Sequence, residues 1–215
     1  GIWRMNADGT NAIQLTGDSP DFADFSPQVT PDSKMIVFQR QAATEDHVSL
    51  MKVPIDGGKA ETLYSSDTSS VFLPRISPDG KKIAYSTFDL KTFERKLQIA
   101  SLEGYDFGKV EQALEFNLIN QFVWSPDSRN LTILTSRGGT PNIWRQPLDG
   151  SPATQITDFK TGRIFNFAWA ADGKSLILAR GNTANDLILI RDSTPGASGD
   201  NLTRRNRPPS SQATL

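Results

Sequence analysis

SPDGKKIAYST, residues Ser77–Thr87, reads as a strand end, a tight turn and the start of a second strand. Pro fixes a negative φ at the first corner, Asp suits the second, and Gly takes the left-handed position that closes a hairpin. The run beyond it alternates, so Ile83 and Tyr85 share one face of an extended chain. The phrase recurs as TPDS at Thr30–Ser33, SPDS at Ser125–Ser128 and AADG at Ala170–Gly173. Its Asp therefore falls at 32, 79, 127 and 172, in steps of 47, 48 and 45. A fixed period of this kind dictates the architecture before any local reading does.

The surroundings of each Asp repeat as well. Ile36, Ile83, Leu131 and Leu176 stand four residues after it, Phe38, Tyr85, Ile133 and Leu178 six after it. Val29, Ile76, Trp124 and Trp169 stand three before it, at the end of the preceding strand. A second phrase keeps the same period: IWRMNADGTNAIQLT, from Ile2, returns as IWRQPLDGSPATQIT, from Ile143. Its Gly recurs at Gly9, Gly57, Gly104 and Gly150, preceded by Asp8, Asp56, Glu103 and Asp149, and marks a second hairpin in each repeat.

Four short strands per repeat, with no helical periodicity between them, make a small antiparallel sheet that cannot bury both faces alone. Stacking such sheets radially buries them, which is the β-propeller solution; a β-sandwich predicts no register this regular. The expected fold is all-β, a propeller of four-stranded antiparallel blades with about 4.5 blades present. The propeller segment is expected over 1–192, with a partial first blade at 1–16 and blades at about 22–66, 71–117, 119–157 and 164–191. Trp124 and Trp169 are expected to wedge between adjacent blades. The last blade ends on LILIRD without a fourth strand, and 193–215, rich in Pro, Gly and Ser, reads as a disordered tail. Inner strands for the first blade are missing and the chain starts on Gly, so the count points to a longer parent with at least half a blade upstream.

With 23 Lys and Arg against 24 Asp and Glu, the net charge of −1 offers no single-sign field to nucleic acid or a membrane surface. The absence of cysteine excludes disulfides and thiolate chemistry. No run of 18 apolar residues occurs, so membrane insertion is not expected of this segment.

SPDGKKIAYST and IWRQPLDGSPATQIT resemble the WD-repeat-like propeller repeat of TolB and many bacterial proteins, over about 190 residues of the chain. The ending, from Asn142 to Asp192, is similar to the C-terminal propellers of bacterial membrane-anchored serine/threonine kinases and winged-helix regulators. The likeness implies a sensor or protein-interaction module joined to a separate output domain, and a periplasmic or extracytoplasmic setting. Ala171 in place of Pro, Ser33 and Ser128 in place of Gly, and the Glu103 turn depart from the pattern.

Catalytic motifs fail on inspection. Asp106, Phe107 and Gly108 spell the magnesium triplet of protein kinases, but no HRD loop accompanies them. Gly173, Lys174 and Ser175 imitate a phosphate loop, yet the required earlier Gly is Ala168 and a strand follows where a helix is needed. His47 is the only histidine, which makes a poor transition-metal site and reads as a solvated loop residue. No G-x-S-x-G elbow occurs. Asp18, Asp21 and Asp24 could gather around calcium, but without the spacing of an EF-hand they read as solvated loop carboxylates. Arg204, Arg205 and Arg207 read as a solubilising tail cluster. The chain is thus expected to be non-enzymatic and to need no cofactor or metal.

In such a fold the two hairpin turns of each blade share one end, and the longer connections share the other. Function on a repeated scaffold lives on its variable loops. Arg40 and Arg180, each eight residues past the turn Asp, lie at the loop end, with Arg137 close by and Lys160 and Arg163 in an inter-blade loop. These five cations form the candidate surface for a protein or peptide, or for a small acidic or phosphate-bearing ligand; the competing reading makes them structural bridges to Asp and Glu. The leading functional expectation is a non-catalytic interaction or sensing module at the C-terminal end of a larger bacterial signalling protein. The alternatives are the accessory propeller of a prolyl-oligopeptidase-like serine peptidase and a periplasmic TolB-like scaffold.

Overall fold

The computed structural model describes residues 1–44, 47–102, 110–114, 119–136 and 139–182. The chain divides into two units, Gly1–Thr183 and Ala184–Leu215. The second unit, and with it the LILIRD strand and the tail, lies outside the described residues, as do Asp106, Phe107 and Gly108.

Among the described residues there are strands and no helix. β1 (Trp3–Arg4) and β2 (Ile13–Gln14) form a first antiparallel pair. β3 (Phe22–Val29), β4 (Met35–Ala42), β5 (Val48–Pro54) and β6 (Glu61–Tyr64) form the second sheet in chain order. The third comprises β7 (Ser69–Ile76), β8 (Lys82–Asp89), β9 (Arg95–Ser101) and β10 (Val110–Leu114). The fourth comprises β11 (Ile119–Trp124), β12 (Asn130–Thr135), β13 (Asn142–Pro147) and β14 (Thr154–Gln155), and β15 (Arg163–Trp169) with β16 (Leu176–Gly181) makes the fifth. This is the all-β propeller architecture, in four-stranded antiparallel blades. Its first strands lie side by side, β3 near β7 and β7 near β11.

Alternation sorts each strand's apolar residues to two faces, and both are used. Ile36, Phe38, Met51 and Val53 take Ile2 and Leu15 of the first pair. Val37 and Leu50, on the opposite face, meet Val71, Ile83 and Tyr85 of the third sheet. Ala84, Leu97 and Ile99 meet Phe122, Trp124, Leu131 and Ile133 of the fourth, and Leu134 and Ile143 meet Ile164 and Phe167 of the fifth. Polar bonds tie the same junctions. Gln39 Nε2 donates to the Val71 carbonyl at 2.6 Å, Trp124 Nε1 to the Arg75 carbonyl at 2.8 Å and Gln121 Nε2 to the Phe167 carbonyl at 2.9 Å. Trp124 is therefore the inter-blade wedge its position predicts. Trp169 is only half-buried, and its indole N–H is shielded without an acceptor among the described residues.

The two copies of the IWR phrase fold identically. Ile2 N–H donates to Thr16 Oγ1 at 2.8 Å and Leu15 N–H to the Ile2 carbonyl at 2.8 Å; Ile143 N–H donates to Thr157 Oγ1 at 2.9 Å and Ile156 N–H to the Ile143 carbonyl at 2.8 Å. In the fourth sheet the phrase supplies the third and fourth strands, and in the first it makes the whole two-stranded sheet.

The four turns close alike. In each, the fourth residue's N–H donates to the first residue's carbonyl, at 2.8 to 3.0 Å. That fourth residue is left-handed in every copy: Ser33 at φ 58, Gly80 at 73, Ser128 at 59 and Gly173 at 68. The Asp does more than suit a corner. Asp79 Oδ1 accepts the Ser77 hydroxyl at 2.6 Å and the Lys81 N–H at 3.1 Å, while Ser77 Oγ accepts the Lys82 N–H at 2.9 Å. Thr30 with Asp32 and Ser125 with Asp127 repeat the relay; Ala170 removes the hydroxyl from the last copy, where Asp172 Oδ1 still accepts the Lys174 N–H at 2.9 Å. Each first strand also carries a bulge, at Phe25/Gln28, Phe72/Arg75, Ile119/Gln121 and Ile164/Asn166. Pro27 and Pro74 sit inside two of these, where no ladder N–H is required.

Turn chemistry sets two expected outcomes. Ser33→Gly relieves a left-handed non-glycine and is expected to raise stability by about 1 kcal/mol in chemical denaturation. Ser128→Gly gains the same relief but loses the bond that Ser128 Oγ accepts from the Asp79 N–H of the neighbouring sheet at 3.1 Å, so little or no net gain is expected. The acid limb tests the relay. The Ser125 hydroxyl and the Arg129 N–H hold the Asp127 carboxyl below its ordinary 3.8. Burial works against the Asp79 carboxylate, but the Ser77 hydroxyl and the Lys81 N–H still hold it below 3.8. A depressed folded-state value stabilises above the unfolded value and is lost as pH falls through the folded one. The stability gap between the native chain and Asp127→Asn should therefore be widest near neutrality and close as pH drops below 3.8. A pH-independent gap would remove the carboxylate from the account.

Candidate functional site

The connections after each second and fourth strand share the loop end of the sheets. Three of the five candidate cations stand at that end. Arg163 opens β15 opposite Gly181, Ile164 faces Arg180, and so both arginines sit at the same end of the fifth sheet. Arg180 reaches back, its guanidinium donating to the Thr161 carbonyl at 2.5 Å and lying 4.2 Å from the centre of the Phe159 ring. Lys160 stands on the same segment, with Nζ 2.6 Å from Asp158 in a pair whose side chains are both mostly exposed. Such a pair contributes little. Arg163 lies 6.0 Å from the Phe165 ring centre.

Asn142, nearly buried at the start of β13, holds this segment in place, although no sequence motif marks it. Its Oδ1 accepts the Phe159 N–H at 2.8 Å and the Thr157 hydroxyl at 2.8 Å, and its Nδ2 donates to the Phe159 carbonyl at 3.1 Å. Thr140 adds a bond from its hydroxyl to the Lys160 carbonyl at 2.9 Å. The 157–160 loop is thus fixed from the preceding blade. Gly162, at φ 76, turns the chain where a Cβ would stand 3.0 Å from Asn182 Oδ1. Only a residue without a side chain fits that approach comfortably.

Arg40 belongs elsewhere. It faces Asp24 across β3 and β4 and binds it twice, Nε to Oδ1 at 2.6 Å and Nη2 to Oδ2 at 2.8 Å. The Asp24 side chain is 0% exposed and the guanidinium lies 3.8 Å from the Phe22 ring centre. Arg40 is therefore held in a bridge within its own blade. Asp24 corrects the expectation of a solvated loop carboxylate: a cross-strand arginine sixteen residues on neutralises it, which allows its burial. Asp21 accepts the Ser19 hydroxyl at 3.2 Å instead, and no group of three acidic or histidine side chains that could hold a metal assembles among the described residues. Arg137 lies outside the described residues. His47 is half-buried rather than fully solvated.

A second loop feature carries no motif in the sequence. Asp89 Oδ1 accepts the N–H groups of Lys91 and Thr92, each at 2.8 Å, folding the 89–93 connection into a turn. Phe93, at φ 59, ends that turn 72% exposed, 6.0 Å from Phe88. At the turn end of the fourth sheet lies a cleft of about 750 Å³ between Lys82, Asp127, Arg129, Arg145, Asp149 and Pro152. It contains none of the five candidate cations. Its charges are mixed, and Asp149 accepts the Ser151 N–H at 2.9 Å.

No family model matches the chain. Among curated proteins it is 32% identical over 131 residues to Tricorn protease homolog 1 of Streptomyces coelicolor, covering 59% of this chain and 11% of that one. It is 24% identical over 186 residues to dipeptidyl-peptidase 5 of Arthroderma otae, covering 78% and 26%. The chain thus spans about a quarter or less of these curated relatives. Among solved structures, TolB from Acinetobacter baumannii superposes with a TM-score of 0.65 at 21% identity, over 85% of this chain and 43% of that one. The likeness lies in the fold: the chain is a run of TolB-like β-propeller blades.

Proposed function

We propose that the chain is the non-catalytic propeller part of a larger protein, and that its loop end recognises an acidic segment of a peptide or protein through Arg163 and Arg180, with Lys160 beside them. The observation that carries this reading is a contrast between two equivalent positions. Arg40 and Arg180 stand at the same place in their repeats, yet Arg40 is saturated by a buried carboxylate whereas Arg180 and Arg163 have no carboxylate partner among the described residues. Guanidinium groups fixed on rigid elements with spare donors suit carboxylate or phosphate oxygens. The single histidine and the absence of cysteine fit recognition better than hydrolysis within the segment.

The setting is a second question. An accessory propeller beside a serine peptidase domain is supported by the peptidases among the curated relatives, in which case the loop end would screen peptides on their way to that domain. A sensing or interaction module joined to the output domain of a bacterial signalling protein is supported by the ending of the sequence alone, and a TolB-like scaffold by the fold. All three use the same surface for recognition.

Calorimetric titration with synthetic peptides rich in Asp, Glu or phosphoserine, against neutral peptides of equal length, tests the proposal. Acidic peptides should bind selectively, and Arg163→Glu should weaken them by about tenfold or more without moving the melting temperature. Arg40→Met should leave peptide affinity unchanged but cost about 3–5 kcal/mol, because it strands a buried carboxylate. Equal affinity for neutral peptides, or an Arg163→Glu variant that loses stability and keeps binding, would overturn it.

A further inference from the structure

The turn ends of the sheets repeat one design, and the fourth sheet departs from it. Two residues after the turn Asp stand Lys34, Lys81 and Lys174 in its siblings, but Arg129 here. The third strand differs at the same end. In the second sheet Lys52 faces Val37 across one ladder and Glu61 across the other, and its Nζ lies 3.4 Å from Glu61 Oε2. The same register in the fourth sheet sets Arg145 between Thr132 and Thr154, so a hydroxyl stands where the carboxylate was. In the third sheet the position is Ile99, between Ala84 and Gln112. The fourth sheet therefore carries arginine at both places, with no acid opposite Arg145.

Both arginines are exposed and border the cleft of about 750 Å³ at this end of the sheet. The other charges of the cleft are already engaged. Asp127 accepts the Ser125 hydroxyl and, at 3.0 Å, the Arg129 main-chain N–H; Asp149 accepts the Ser151 N–H at 2.9 Å; Lys82 is paired with Glu111. Neither the Arg129 nor the Arg145 guanidinium has a carboxylate within ion-pair distance among the described residues. Pro147, Leu148 and Pro152 give the cleft apolar lining. Its framework is tied on two sides. The Leu148 N–H donates to the Arg129 carbonyl at 3.1 Å, and Gln112 Nε2 of the third sheet donates to the Leu148 carbonyl at 2.9 Å.

Independently of what the loop end binds, we propose that this turn-end cleft binds a small organic carboxylate, its oxygens taken by Arg129 and Arg145 and its apolar body set against Pro147, Leu148 and Pro152. A guanidinium presents a fixed fork of donors that matches carboxylate oxygens, which the lysines of the sibling turns do not. A partly apolar cleft of this volume with a few placed charges is of the size that small ligands fill. An inorganic anion would satisfy the arginines but leave the apolar lining unused, so an organic acid is the better occupant.

Amide-detected NMR titration of the chain tests the proposal, with isophthalate as the probe and inorganic phosphate and benzamide as comparisons. Isophthalate should shift the amide signals of Arg129, Arg145, Leu148 and Thr154 saturably, and should bind about tenfold or more tightly than phosphate or benzamide. Thr154→Glu rebuilds opposite Arg145 the pair that Lys52 makes with Glu61, and Arg129→Gln removes the other fork. Each should weaken isophthalate by about fivefold or more while amide signals far from the cleft stay in place. Lys81→Gln, on the third sheet, and Arg163→Glu, at the loop end, should leave isophthalate binding unchanged, which separates this outcome from that of the loop end. Phosphate or benzamide binding as tightly as isophthalate overturns the organic-acid assignment. Absence of saturable shifts at the cleft, or Thr154→Glu and Arg129→Gln variants that bind isophthalate as the native chain does, overturns the site.

Discussion

A four-stranded sheet with apolar residues on both faces has no stable existence in water by itself, and this constraint organises the whole molecule. Phe38 and Val37 are neighbours in sequence, yet they must be removed from solvent on opposite sides. Only a neighbour on each side satisfies both, so each blade is completed by the blades before and after it. The core is accordingly not one cluster but a series of them, each lying between consecutive sheets. Stability in such a series is set by nearest neighbours rather than by one global interior.

That sorting of faces depends on register, because a slip of one residue would exchange the two sides of a strand. The hairpin turn controls the register. A left-handed fourth residue, a carboxylate accepting from a hydroxyl and an N–H, and a hydroxyl accepting the N–H five residues on leave the chain one way to reverse. Where Ala170 removes the hydroxyl, the backbone bonds from Gly173 to Ala170 and from Ala170 to Ser175 remain. The relay therefore reinforces a geometry that the main chain already prefers.

Much of this is legible in the residues themselves. The period, the strand ends at Val29, Ile76 and Trp124, and the faces taken by Ile36, Ile83 and Leu131 all follow from spacing, since they are local consequences of turn chemistry and alternation. What spacing does not disclose depends on partners brought together by the fold. Asp24 reads as one of three loosely placed acids because nothing local announces that Arg40 lies across the ladder. Asn142 reads as an ordinary strand residue because its main partners, Thr157 and Phe159, are fifteen and seventeen residues away. The bulges do leave a trace, in the prolines of Ser26–Pro27 and Leu73–Pro74 within otherwise strand-like runs. Among the candidate cations, sequence position places Lys160, Arg163 and Arg180 together but cannot separate Arg40, whose role is decided by one carboxylate.

Three of the polar bonds across the junctions share one property with a wider consequence. Gln39, Trp124 and Gln121 all donate to main-chain carbonyls of the adjoining blade rather than to its side chains. A carbonyl is present whatever residue carries it, so recognition through these three bonds is blind to most of the neighbour's identity and demands only backbone in the right place and a small or apolar surface beside it. Units joined in this manner can be duplicated, lost or exchanged between genes with few compensating changes, which makes the architecture a ready substrate for recombination and leaves each loop free to diverge at its own pace.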